Sequence, residues 1–413
     1  MSADTKRLYQ QDSYAKTFES RVVSVEPADA GRSEVVLEHT LFYPTSGGQP
    51  HDTGVLAEAR VVDVYNRNGT VVHLVEGLAP NENAVVRGIV EWSRRYRHMQ
   101  RHTAQHLLSQ AFLRANDAFE TRSVSLTSPV CTLDLAGEPT DNDLRDAEHI
   151  VTDAVYAGFN IRAFEVDESD IDNYPLRRPP KVSGTIRLVQ MGEWEVSACG
   201  GTHLRASTEA GPIKILRSER VKGGLTRVYF CSGLEAIDDY RLKHRVAYGL
   251  SNELSTQVEA VPDRFAALQQ ELRDLIHTRD GYRTRVATLL AEKLVGDAEP
   301  TPTGRVVRYR LSADDAALLR PLAQALSEYA GPQDDPKNDI VALLGVATDD
   351  KAQLIFARGE DAEADMNKLL QEVLPLVDGR GGGRPSFAQG GGPRQDGLSE
   401  ALVRAERRLR QVF

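Results

Sequence analysis

The chain has 413 residues, 41% apolar and 27% charged, with a formal net charge of -10, and that length is too great for one comfortable core, so two or three domains are expected. No stretch approaches the roughly 18 apolar residues of a membrane-spanning helix, and the opening MSADTKRLYQQDSYAK lacks the apolar run of a secretory signal. The acidic balance argues against a non-specific grip on long nucleic acid, and three cysteines cannot all pair with one another, so a reducing cytoplasm is the expected location.

Residues 20–90 read as short strands: RVVSVEP, SEVVLEHT, GVLAEARVVDVY and GTVVHLVEG, broken at Gly31, Gly47, Gly48 and Gly69. They predict a small β-barrel or compact sheet, with FYPTSGGQPHDTG at 42–54 as an exposed loop. From 93 to 113 the period becomes helical, through Met99, His102, Ala104, Leu107, Leu108, Ala111 and Phe112. A second helix is expected over 142–158, capped by Asp141 or Asn142, with Ile150, Val151, Ala154 and Val155 as its apolar face. Strands follow at 183–190, 193–198, 212–217 and 225–230, giving helices on a largely antiparallel sheet.

The stretch 251–293 has a heptad-like scatter from Val258, Val261, Phe265 and Leu268 to Leu289, and Asp280-Gly281 predicts a helical hairpin rather than one rod. After a linker at 295–304, strands are expected at 305–308, 340–346 and 352–357, and helices at 311–329 and 361–376. The glycine runs 381–383 and 390–392 predict a flexible loop before a final basic helix. The fold class is therefore α+β: a β-barrel-like part at 1–90, an α+β part at 91–240, a helical connector at 241–294 and an α/β part at 295–413.

His102 and His106 lie about 1.1 helical turns apart, so both imidazoles leave one face. Cys199-Gly200-Gly201-Thr202-His203 adds a thiolate and an imidazole around a tight turn, and together the two pairs suit one tetrahedral Zn2+ per chain. Whether such an ion is structural or keeps room for substrate stays open at this level. Cys131 and Cys231 read as small buried residues, and His51, His73 and His98 as surface or core histidines.

SRRYRHMQRHTAQHLL at 93–108, FYPTSGGQPHDTG at 42–54, CGGTH at 199–203 and GPIKILRSERVKGGLTRVYFCSG at 211–233 resemble the alanyl-tRNA editing family. That family comprises the freestanding AlaX proteins and the editing region of alanyl-tRNA synthetase. GRGGGRPSFAQGGG at 379–392 resembles the core of the synthetase's DHHA1-type C-terminal domain. The resemblance implies a zinc-containing editing domain at 91–240, a DHHA1-type RNA-binding domain at 295–413, and His102, His106, Cys199 and His203 as the zinc ligands. It further implies a hydrolase that deacylates tRNA(Ala) mischarged with serine, and with glycine. About 40 residues precede FYPTSGGQP, which leaves no room for an ATP-binding synthetase domain and predicts ATP-independent editing in trans. Where the synthetase carries a Gln-Lys-Gly-Ser type stretch, this chain reads FETRSVSLTSP at 119–129, so that element's role passes to no residue here.

Ester hydrolysis needs donors aimed at the carbonyl oxygen, and the backbone N–H groups of Gly47-Gly48 or of Gly200-Gly201 are the candidates. Rejecting alanine needs a partner for the serine hydroxyl; Thr45 is the first choice, with Ser46 and Thr103 as alternatives. The partner is tRNA(Ala), at its acceptor end and body, and no membrane. Candidate phosphate contacts are Arg94, Arg95, Arg97 and Arg101, then Arg177, Arg178 and Lys181, and at the C-terminus Arg394, Arg404, Arg407, Arg408 and Arg410. A homodimer through the helical or C-terminal region is expected. The alternative function is a zinc-stabilised tRNA-binding module without hydrolytic activity.

Overall fold

Period-two burial sets the first part of the chain. Along residues 17–23 of the strand Thr17–Ala28 and along Val85–Val90 exposed and buried residues alternate, so each stretch turns one face inward. The computed structural model describes residues 5–412 apart from 181, 302–303 and 331–338, and the chain forms two compact units, Met1–Gly249 and Leu250–Phe413. In the first unit the strands Thr17–Ala28, Arg32–Leu37, Thr70–Glu76, Ala59–Arg67, Gly54–Leu56 and Val85–Val90 are hydrogen-bonded in that order and close on the first. Val22, Leu37, Phe42, Leu56, Val61 and Val75 fill the interior.

The helix Trp92–Ala115 is buried continuously from His98 to Ser109. It packs on the helix Asp141–Tyr156 and on antiparallel strands from two sheets. One sheet has the order Ile213–Val221, Leu225–Ser232, Cys131–Ala136, Thr121–Ser125; the other has Ile161–Asp167, Thr185–Met191, Glu195–Ala198. Asp141–Tyr156 is capped by Thr140, which exchanges hydrogen bonds with Asp143, so the cap lies one residue before Asp141 and two before Asn142, the caps expected.

The second unit is built on a sheet of order Pro300–Thr301, Gly304–Leu311, Ile340–Ala347, Ala352–Arg358, Phe387–Gly392, Arg380–Arg384. IVALLGVA at its centre is apolar throughout because both faces are covered. Ile340, Ala342 and Leu344 meet the helices Leu319–Ser327 and Val261–Asp297; Val341 and Leu343 meet Met366–Val373 and Leu398–Val412.

Three expectations are corrected here. The helical hairpin with its turn at Asp280-Gly281 does not form: Val261–Asp297 is one helix of 37 residues. A helical glycine costs only about 1 kcal/mol, and the Asp280 carboxylate accepts from Arg279 and Arg283 on the surface instead of closing a turn. The helix also runs into the supposed linker at 295–304, where Val295 is buried with Ala287 and Ala291. The glycine runs are not a flexible loop. They pair as two sheet strands, and a Cβ on Gly391 or Gly392 would meet the Ala352 or Val377 carbonyl at 2.4 or 2.0 Å.

Candidate metal centre

The buried helix turns His102 and His106 toward the Cys199–His203 turn, with ring centroids 5.2 Å apart between the first two and 4.4 Å from His102 to His203. One donor atom from each of His102, His106, Cys199 and His203 lies within 4.8 Å of the others, a group able to hold a metal ion. Cys199 Sγ is 3.4 Å from His102 Nε2 and 3.2 Å from His203 Nε2. The Arg187 guanidinium donates to the Cys199 and Gly201 carbonyls at 2.6 and 3.1 Å, fixing the turn. Gly201 is required by proximity: a Cβ there would lie 2.1 Å from His102 Cε1. Gly200 has no such neighbour, its nearest atom being Gln10 Nε2 at 3.7 Å.

Each imidazole is held from behind at Nδ1. His102 Nδ1 is 2.8 Å from Gln49 Oε1, His203 Nδ1 is 3.3 Å from Thr103 Oγ1, and His106 Nδ1 is 3.3 Å from Glu195 Oε1. With Nδ1 engaged, Nε2 is the ring nitrogen left for a metal. Burial pushes the Cys199 thiol up, but facing His102 and His203 outweigh this and hold it well below the usual thiol range. Burial lowers His203 to about 3, with the Cys199 sulfur opposing. Burial also disfavours the His106 cation, yet Glu195 overrides it and lifts the ring to about 9. Three imidazole nitrogens and one thiolate sulfur fit a tetrahedral N/S-liganded ion.

The loop at 42–54 is only exposed at its tip, Thr45–Gly47, which corrects the expectation of an exposed loop. Tyr43, Gln49 and Asp52 are buried. Gln49 reaches across to donate to Thr202 Oγ1 at 2.8 Å, and Asp52 forms a fully buried ion pair with Arg95. Gly47 and Gly48 both have positive φ, and the Gly48 carbonyl accepts from Leu126 N at 3.1 Å, which ties the tip to the neighbouring sheet. Thr45 Oγ1 lies 3.1 Å from His51 Nδ1. Thr103 Oγ1 also accepts from Leu204 N, and Ser46 pairs through its backbone with Gln49.

Models of known families match three parts of this chain. "Threonyl and Alanyl tRNA synthetase second additional domain" covers residues 186–229, "tRNA synthetases class II (A)" covers 5–94, and "DHHA1 domain" covers 317–411. The alanyl-tRNA editing protein AlaX-L of Pyrococcus horikoshii is 28% identical, over 93% of this chain and 94% of that protein. The similarity to AlaX-L thus runs nearly end to end in both proteins. The alanine–tRNA ligases of Pyrobaculum neutrophilum and Pyrococcus abyssi are 34% and 30% identical over 94% of the chain. The chain spans 42% of the length of each of these two ligases.

In this chain the arginines before His102 serve the fold. Arg95 is spent on Asp52 and on the Leu41 and Ser13 carbonyls, and Arg101 on Glu235 and the Leu126 carbonyl. Arg97 pairs with Asp238 at 3.3 Å, and Arg94 donates to the His51 carbonyl at 3.0 Å. Buried Arg95 and Arg101 therefore cannot act as the phosphate contacts expected of them. Arg177 pairs with Glu195 and Arg178 with Glu120; Lys181 lies outside the described residues. Arg394, Arg408 and Arg410 face Asp396, Glu372 and Glu406, whereas Arg404 and Arg407 are exposed on the last helix.

Cys131 and Cys231 are buried, and His73 is buried between Thr40 and the Val35 carbonyl. His98 is 4% exposed, and its Nδ1 has no partner among the described residues. Among the described residues no helix is long and apolar enough to cross a membrane. Gln49, Thr103 as a histidine partner, and Glu195 were missed in the sequence reading. Gln49, directly after Gly47-Gly48, and Thr103, directly after His102, stood inside motifs; Glu195 stood in none.

Proposed function

We propose that this protein hydrolyses the ester of mischarged tRNA(Ala), chiefly seryl-tRNA(Ala) and also glycyl-tRNA(Ala), with one zinc ion held by His102, His106, Cys199 and His203. The observation that carries this reading is the convergence of four donor atoms within 4.8 Å, each imidazole already held at Nδ1. Similarity to AlaX-L over 94% of that protein's length supports the substrate class. We assign the barrel-like part to 1–90, editing to 91–240, the connector to 241–294 and RNA binding to 295–413.

In the reaction a water oxygen bonds to the aminoacyl carbonyl carbon and the bond from that carbon to the ribose oxygen breaks. The ribose oxygen takes a proton, and free amino acid and tRNA leave. Zinc bound at the cluster would supply Lewis-acid polarisation or substrate orientation. The chain itself would supply backbone N–H donors from Gly47-Gly48 or Gly200-Gly201 toward the developing oxyanion, a class of interaction worth about 3–4 kcal/mol per donor. Thr45 is the preferred partner for the serine hydroxyl because it sits on the exposed tip, where the His51 backbone N–H and ring hold its Oγ1, whereas Thr103 is fully buried. A site built around that hydroxyl leaves a polar group unpaired when alanine enters, which is how a pocket rejects the smaller residue.

Deacylation of seryl-, glycyl- and alanyl-tRNA(Ala) measured side by side tests the reading. The seryl ester should disappear fastest and the alanyl ester slowest. Equal rates would remove the editing function. Binding without loss of any ester would instead establish the zinc-stabilised RNA-binding module.

A further inference from the structure

We propose that Glu195 is a positioning residue for the metal-binding cluster, holding His106 with Nε2 toward the other three donors, and that Arg177 in turn holds Glu195. This rests on the metal-site reading above. The Glu195 side chain is 1% exposed, and its Oε1 lies 3.3 Å from His106 Nδ1 and 3.2 Å from Arg177 Nε. Ser197, two residues on and so on the same strand face, places its Oγ 3.2 Å from the same His106 nitrogen.

The other two imidazoles are backed by neutral groups, Gln49 and Thr103; only His106 is backed by a carboxylate. A carboxylate behind a ligating imidazole fixes its tautomer and raises its basicity, which neither neutral partner does as strongly. Arg177 is seated by its own backbone, whose N–H donates to the Val196 carbonyl at 3.3 Å, so its segment is anchored beside the strand that carries Glu195.

The arrangement is not that of an ion pair optimised for itself. An arginine and a carboxylate free to choose close as a two-pronged fork. Here one oxygen, Oε1, is shared by the imidazole and the guanidinium, while Glu195 Oε2 and Arg177 NH1 are both buried without partners among the described residues. The carboxylate is oriented for His106 at the expense of its fit to Arg177.

The test is zinc affinity, read by competition against a chromophoric chelator on the full-length protein. Glu195→Gln keeps the shape and loses the charge; it should bind zinc about 10-fold more weakly, and Glu195→Ala up to about 100-fold, the range found for outer partners of metal ligands. Arg177→Gln should weaken binding in the same direction by less. Glu120→Gln, which loses the exposed pairing with Arg178, should leave affinity unchanged. In cobalt-substituted protein, Glu195→Gln should shift the visible d–d bands while thiolate-to-cobalt charge transfer from Cys199 persists; a merely structural role would move neither. Should Glu195→Ala fail to fold, the two glutamine variants carry the measurement. Folded variants that match wild-type affinity and cobalt spectrum overturn the role of Glu195 alone. A wild-type protein that binds no zinc overturns this inference together with the metal site itself.

Discussion

At the scale of single residues, the four proposed ligands were legible because each pair is separated by four positions, a spacing that carries geometry with it. Their supports were not. Gln49 and Glu195 stand 53 and 89 residues from the histidines they hold, and no local pattern announces such a partner. The same blindness made the arginines at 94–101 look like an RNA surface, when Arg95 and Asp52 are both 0% exposed and pair with each other. Removing one member of such a buried pair strands the other, so Arg95→Ala should cost about 3–5 kcal/mol in denaturant unfolding. A loss under 1 kcal/mol would contradict the buried-pair description.

His73 gives a pH prediction from the same physics. Burial lowers it to about 4, the Val35 carbonyl opposing, against an ordinary value of 6.5. Below pH 6.5 the unfolded chain takes up this proton while the folded one does not until about 4, so stability from this residue falls across that window as pH drops. His73→Gln should flatten the fall in unfolding midpoint between pH 7 and pH 5 relative to wild type. Parallel profiles would refute it.

At the scale of elements, period carried the sequence reading furthest where one face is buried: 142–158 was expected as a helix with Val151, Ala154 and Val155 on its apolar face, and Asp141–Tyr156 forms one that buries all three. The strands Thr121–Ser125, Cys131–Ala136 and Ile161–Asp167 escaped notice because each is short, and TRSVS is also sparsely apolar. The glycine strands Arg380–Arg384 and Phe387–Gly392 read as a loop because glycine has low strand propensity. Only packing against neighbouring backbone explains their composition. The helix Val261–Asp297 carries Phe265, Leu272, Leu275, Tyr282, Val286 and Leu289 exposed at heptad spacing, with Arg279 in the same row. Among the registers for the proposed homodimer, antiparallel pairing centred on His277 sets Phe265 against Leu289 of the partner subunit and Glu271 against Arg285 of the partner subunit. Parallel pairing loses that charge match. Sedimentation should therefore show a dimer that Leu272→Glu converts to monomer, that Glu271→Arg weakens, and that Glu271→Arg with Arg285→Glu restores. A wild-type monomer, or a double variant no better than the single one, would rule this register out.

For the whole molecule, a net charge of -10 looks unpromising for an RNA-acting protein, and most cations at the expected contact points prove to be paired internally. Arg404 and Arg407, exposed on the last helix, are the better candidates for a grip on the tRNA body. Contacts remote from the ester strengthen ground and transition states alike. Arg404→Glu with Arg407→Glu should accordingly raise KM for tRNA several-fold, on the order of 1 kcal/mol of lost binding, and leave kcat unchanged. A fall in kcat at constant KM would instead place the C-terminal unit in the chemistry. The central claim joins the metal cluster to ester hydrolysis, and single-turnover deacylation of seryl-tRNA(Ala) tests it most directly when run on native protein, after chelation, and after zinc is returned. Activity should vanish with the metal and come back with one zinc per chain, and Cys199→Ala should recover neither. Full deacylation by folded, zinc-free protein would contradict it.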